Sequence, residues 1–214
     1  MKLREILEKR WGTFTELLIF FLIALSTIQP GIIIPLLVAI FIISMKTRRI
    51  RWAWIGFDLP KAKLSHILLG ILLAGIYFLL FNFIIDPIVD TWLPPANLAA
   101  FEGVRNHLEQ LLIWLVITWS VAAVFEELIF RGYLINRLID LLGESFPMKF
   151  IIVILAGAVF GFVHFYQGWH GVITAGMIGV LQSVVFLLNK RKLLIPMVIH
   201  GTFDTIGFMM LYIS

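Results

Sequence analysis

Hydrophobic residues run through this chain in long blocks separated by short polar stretches, with no sustained alternation of period two. The blocks lie near 14–28, 31–45, 64–85, 108–130, 150–165, 171–188 and 194–213. A helix needs roughly 20 mostly apolar residues to cross hydrocarbon. Only helices and closed barrels satisfy their backbone groups there, and a barrel would require the missing period-two pattern. The blocks therefore predict an all-α, polytopic helical membrane protein with about seven transmembrane helices. The first two blocks are short and read either as one helix kinked at Gln29-Pro30-Gly31 or as a hairpin.

Charge between the blocks chooses the hairpin. The stretch before residue 14 and the stretch from Lys46 to Lys63 are both basic, and the positive-inside rule places both in the cytoplasm, which needs an even number of crossings between them. The acidic 86–110 segment, with Asp86, Asp90, Glu102 and Glu109, goes outside. Arg137 with Lys149, and then Lys190-Arg191-Lys192, mark further cytoplasmic turns. The N-terminus is thus predicted cytoplasmic, in a multi-pass protein of the cell membrane. Ala24-Leu25-Ser26 has the small-x-small form of a signal cleavage site, but apolar sequence resumes at Gly31, which favours retention. Trp11, Trp52, Trp54, Trp92 and Trp169 fall at block edges, where amphipathic rings settle. The stretch carrying Trp52, Trp54 and Pro60 and the break at Trp92-Leu93-Pro94-Pro95 read as surface segments.

Composition narrows the reading further. With 214 residues, 61% hydrophobic and 14% charged, the chain has almost nothing left over for a soluble domain, so residues 1–214 read as one membrane domain. Its formal charge of +4 comes from basic residues gathered at block ends, which are topology signals and not a nucleic-acid surface. There is no cysteine, so thiolate nucleophiles and thiolate metal sites are excluded. No internal repeat supports an inverted-repeat transporter.

Six polar residues sit where apolar ones belong: Glu126, Glu127, Arg131, His164, His200 and Asp204. A charge at mid-membrane costs roughly 2.5–3.5 kcal/mol, so these groups need partners or a function. Glu127 and Arg131 are four apart and share a helical face, whereas Glu126 is rotated by about 100 degrees on an α-helix and is left unclaimed. Taken alone, both glutamates would serve to neutralise Arg131 at a helix end. His164, four residues after Phe160, would alone be a hydrogen-bonded packing histidine. His200 and Asp204 are again four apart, so Asp204 is placed to orient the imidazole, or to form a local pair without chemistry. Three helices each offering such groups favour a shared site. His66 and His107, at helix starts, and His170, in a short turn with Gly168 and Gly171, take the plainer interfacial reading.

The run Glu126-Glu127-Leu128-Ile129-Phe130-Arg131, then Phe160-x-x-x-His164, then His200-x-x-x-Asp204, resembles the three motifs of the CAAX protease and bacteriocin-processing (Abi) family of intramembrane proteases. The resemblance covers about residues 108–213, which it marks as the catalytic core, with 1–107 contributing N-terminal membrane helices and a surface segment. It implies that Glu126 and His164 activate water and that His200 stabilises the oxyanion, chemistry suited to a carboxylate and imidazoles in a low-dielectric site. The family's third motif often ends in Asn, which can donate a hydrogen bond; an ionised Asp204 cannot. Glu126, His164 and His200 would also be a zinc set, and the family has been argued both as a Zn2+ metalloprotease and as a metal-free glutamate protease. The implied substrate is a membrane-associated peptide or protein, either a prenylated CAAX tail or the leader of a secreted peptide.

Competing readings are a non-catalytic membrane partner such as a self-immunity or scaffold protein, a haem protein with His164 and His200 as axial ligands, and a transporter with a carboxylate proton relay. The sequence positions also set a difficulty. His200 and Glu126 lie nearer the cytoplasmic ends of their helices and His164 nearer the outer end of its own, so they meet only through tilt, helix breaks or a deep cavity.

Overall fold

The computed structural model describes residues 10–26, 30–57 and 63–214, and among these every regular element is helical. Lys2, Arg4, Glu5, Glu8 and Lys9 of the basic start, Gln29 of the first break and Pro60 lie outside the described residues. Helix α1 (Arg10–Ala24) packs beside α2 (Pro30–Thr47), joining Leu17, Phe20 and Ala24 to Ile33, Leu37 and Phe41 in one core. The first two blocks are therefore two helices side by side. There follow α3 (Leu64–Val89), α4 (Leu108–Leu142), α5 (Phe146–Val163), α6 (Gly168–Leu188) and α7 (Leu194–Ile213). Five of these, α3 to α7, are long and apolar enough to span a membrane. This is a multi-pass helical membrane protein.

Two boundaries differ from the block pattern. Helix α4 runs on to Leu142, so Arg137 is buried within it instead of marking a turn, and the chain turns at Gly143. Gly143 holds φ +93, the left-handed region that ends helices and that glycine enters without strain. The stretch from Thr118 to Ile135 inside α4 is also wound as a π-helix, with hydrogen bonds five residues apart. A five-residue π-turn, Phe81–Ile85, interrupts α3 as well.

Loops expected on one side of the membrane do meet. At one end the Leu193 N–H donates to the Gly56 carbonyl at 3.1 Å, Asn136 Nδ2 to the Trp54 carbonyl at 3.2 Å and Arg191 Nη1 to Asn136 Oδ1 at 3.1 Å. The stretch around Trp54 is more than a surface segment, because Ile55 is fully buried there. At the other end the Asn97 N–H donates to the Gln167 carbonyl and the Asn106 N–H to the Tyr212 carbonyl, both at 3.0 Å.

Helices α5 and α6 approach closely because their contact is glycine. A Cβ on Gly161 would stand 2.3 Å from the Val172 carbonyl oxygen, and one on Gly157 2.9 Å from that of Gly176. Without water to squeeze out, such close backbone contact is what membrane helices use to associate.

A second buried polar group ties the N-terminal hairpin to α4. Glu16 of α1 is nearly buried and pairs with Arg48 at the end of α2, lies 3.5 Å from Arg137 of α4, and accepts a hydrogen bond from the Tyr133 hydroxyl. Arg137 also donates to Thr13 Oγ1 at 3.1 Å and to Asp140 at 2.6 Å. Two guanidiniums meet at one carboxylate, and Arg137 has Asp140 besides. Replacing Glu16 with leucine should lower unfolding stability by about 3–5 kcal/mol, because it strands Arg48 and leaves Arg137 with Asp140 alone, while making Arg48 apolar as well should recover much of the loss. Denaturant unfolding in detergent checks this, and a single substitution without effect would show that the cluster contributes nothing to stability.

Candidate active site

The residues singled out by their polarity converge. Glu127 and Arg131 are almost completely buried, and Arg131 Nη1 donates to Glu127 Oε1 at 2.9 Å, the pairing expected from their spacing. The same Glu127 oxygen lies 2.8 Å from His200 Nδ1 of α7. One carboxylate thus fixes a cation on its own helix and an imidazole on another. The orienting bond to His200 comes from Glu127 and not from Asp204, whose Oδ2 stands 3.6 Å from His200 Nε2, beyond a good hydrogen bond.

Glu126 does not face away. Its Oε2 is 4.0 Å from His200 Nε2, so neighbouring glutamates approach opposite nitrogens of one ring. The rotation of about 100 degrees per residue holds for an α-helix. In the π-wound part of α4 each turn carries more residues, so consecutive side chains are separated by a smaller angle. Glu126 Oε2 is buried and has no hydrogen-bond partner among the described residues, and neither do Glu127 Oε2 or Arg131 Nε and Nη2. The pair is divided into a bonded carboxylate and an unbonded one.

His164 ends α5, and its Nδ1 lies 2.8 Å from the Phe160 carbonyl oxygen. A carbonyl has no proton to give, so Nδ1 is the protonated nitrogen and Nε2 keeps its lone pair. The difficulty of depth is resolved around Phe160. Its ring is 4.7 Å from the His164 ring and 6.0 Å from the His200 ring, centroid to centroid, and the Arg131 guanidinium lies over its face at 4.3 Å. Phe160 is more than a spacer in the second motif; it is the surface on which Arg131, His164 and His200 lie. Gly201, next to His200, allows the Trp119 indole to come within 2.7 Å of where a Cβ would be.

The remaining histidines stay outside. His66 Nδ1 accepts the Lys63 N–H at the start of α3, and His107 precedes α4. His170 is not in a turn; it is buried in the first turn of α6, with Nε2 3.2 Å from Asp90 Oδ1, which ties α6 to the end of α3. Two tyrosines escaped sequence reasoning. Tyr77 of α3 packs with Ile195 and Ile199 and lies near enough to Arg131 and Glu127 for their charges to act on its hydroxyl. Tyr166, in the turn after His164, has its ring centroid 5.9 Å from that of His164. An aromatic residue in an apolar block gives no signal of such a role.

Among the described residues no three His, Asp or Glu side chains gather to hold a metal ion. Glu126, His164 and His200, the zinc set that their residue types allow, are not gathered around one point in this arrangement. Both Nδ1 atoms are engaged, with Phe160 and with Glu127, which leaves the Nε2 atoms as the open ring nitrogens.

A helical membrane bundle with a buried carboxylate, imidazoles and a paired guanidinium from separate helices defines a membrane-embedded acid-base site. Residues 108–206 match the family model described as Type II CAAX prenyl endopeptidase Rce1-like, so this stretch of the chain is similar to that family. No curated protein and no solved structure matches the chain.

The two glutamates should behave oppositely. Glu127→Leu leaves Arg131 and His200 without their carboxylate and should cost about 3–5 kcal/mol of stability. Glu126→Leu removes a carboxylate with no bonded partner and should be neutral or stabilising. Thermal unfolding of both variants in detergent decides, and equal losses would contradict the division between them.

Proposed function

We propose that this protein is an intramembrane endopeptidase of the CAAX-processing type that hydrolyses a peptide bond in a membrane-associated peptide or protein without a metal. The observation that carries the reading is the buried, unpartnered Glu126 carboxylate beside an imidazole already fixed by Glu127. The 4.0 Å from Glu126 Oε2 to His200 Nε2 is too long for one hydrogen bond and suits two meeting at a single water oxygen.

In the reaction Glu126 takes a proton from water, and His164, through the lone pair on Nε2, holds the water oxygen toward the substrate. That oxygen bonds to the carbonyl carbon while the π pair moves onto the carbonyl oxygen. His200 is fixed at Nδ1 and faces the carboxylates of Glu126 and Asp204 at Nε2; it donates from Nε2 to the oxyanion. Collapse breaks the C–N bond, and the departing amine receives the proton held by Glu126. Arg131 holds Glu127 in place and touches no reacting atom.

The matching family model is described as a prenyl endopeptidase, which supports a membrane-associated peptide as the substrate. A prenylated carboxyl-terminal peptide is the first substrate to test, with a leader peptide second. The basic loops clustered at one end support an N-terminus in the cytoplasm of a cell-membrane protein.

Purified protein in detergent should cleave a peptide from this panel. Glu126→Gln and His164→Ala should each reduce kcat by about 100-fold or more while melting as the wild type does. A chelator should leave cleavage intact. Full activity in Glu126→Gln would refute the mechanism, and activity lost to chelator but restored by zinc would refute its metal-free form.

A further inference from the structure

Stabilising an oxyanion commonly takes more than one donor, and the site as described offers only His200. The other groups nearby cannot help: Asp204 is an acceptor when ionised, His164 carries its proton on Nδ1 toward Phe160, and Trp119 Nε1 is spent on Thr205 Oγ1 at 3.1 Å. Arg131 is buried beneath Glu127 and Phe160.

Tyr166 remains. It lies in the turn Phe165–Gln167 immediately after His164, half-buried, with its ring tilted against that imidazole and 6.5 Å from the Phe101 ring. The turn is held by the Gln167 N–H on the His164 carbonyl at 2.9 Å and by the Asn97 N–H on the Gln167 carbonyl. Its hydroxyl oxygen accepts a hydrogen bond from Gln167 Nε2 at 2.9 Å. A hydroxyl that accepts in this way still has its own proton to give, and no acceptor among the described residues takes it.

We propose that Tyr166 is a further catalytic residue, whose hydroxyl donates the second hydrogen bond to the oxyanion that forms as water adds to the substrate carbonyl. The inference rests on the endopeptidase reading above. No proton is transferred: the O–H stays on Tyr166 and shortens its contact as negative charge develops, and Gln167 holds the phenol in place. The bond strengthens in the transition state, so its loss acts on kcat and leaves KM nearly unchanged.

The experiment compares wild type, Tyr166→Phe, Asp204→Asn and the double variant on a prenylated CAAX peptide, alongside binding of its phosphinate analogue, which carries an anionic tetrahedral centre, and of the uncleaved amide. Tyr166→Phe should lower kcat about 100- to 1,000-fold with KM within about twofold and an unchanged melting temperature. It should weaken binding of the phosphinate and leave that of the amide alone. Asparagine at 204 brings an amide donor beside the same centre, so Asp204→Asn should recover at least tenfold of the loss in the Tyr166→Phe background, which a structural role for the ring would not allow. Wild-type kcat in Tyr166→Phe, or a loss shared by KM and melting temperature, overturns the role of Tyr166 and leaves the protease standing. A wild type that neither cleaves the peptide nor prefers the phosphinate overturns both. If the wild type prefers the phosphinate without cleaving, the preference retained or lost by Tyr166→Phe decides.

Discussion

A carboxylate taken out of water must find donors, and Glu127 finds two on different helices: a guanidinium one turn along α4 and an imidazole on α7. In lipid such a bond has no competitor from solvent, and leaving any of its three members alone is costly. The bond therefore fixes how α7 sits against α4, and with it the side of His200 that faces Glu126. It also holds Arg131 through Nη1, and Glu126 Oε2 is left without a hydrogen bond from the guanidinium. A site with a reactive carboxylate thus depends on the neighbouring carboxylate being unreactive.

Much of this was legible in the sequence because local spacing carries it. Glu127 and Arg131 four apart, seven apolar blocks and alternating loop charge all translate into the helices observed and into loops that meet at common ends. The match of residues 108–206 follows the three motifs that the spacing singled out. What stayed hidden depends on partners far away along the chain or on backbone winding. Glu16 looks like an interruption at the edge of an apolar block, and nothing local says that Arg137 will come to meet it. Arg137 in turn looks like a loop residue because its helix extends past the apolar block. Asp204 looks like the partner of His200 because they are four apart, yet a carboxylate on another helix reaches the ring first.

The two buried polar clusters share α4 and divide it between them. Glu127 and Arg131 face α5 and α7, while Tyr133 and Arg137 face the N-terminal hairpin through Glu16. The hairpin thus holds the far end of the same helix that carries the reacting carboxylate, although it supplies no residue to the site. Phe160 plays the corresponding part for α5, presenting one ring to a guanidinium and two imidazoles.

The wide winding of α4 makes its length tolerances asymmetric. A turn closed by a bond five residues back can lose one residue and close four residues back instead, with the chain on either side keeping its orientation. It has no comparable way to absorb an added residue. Over the course of evolution, deletions between Thr118 and Phe125 would then be tolerated by the surrounding fold, while any that retighten the turn at Glu126 would swing that side chain off the shared imidazole. The same stretch of helix is permissive as scaffold and exacting as chemistry.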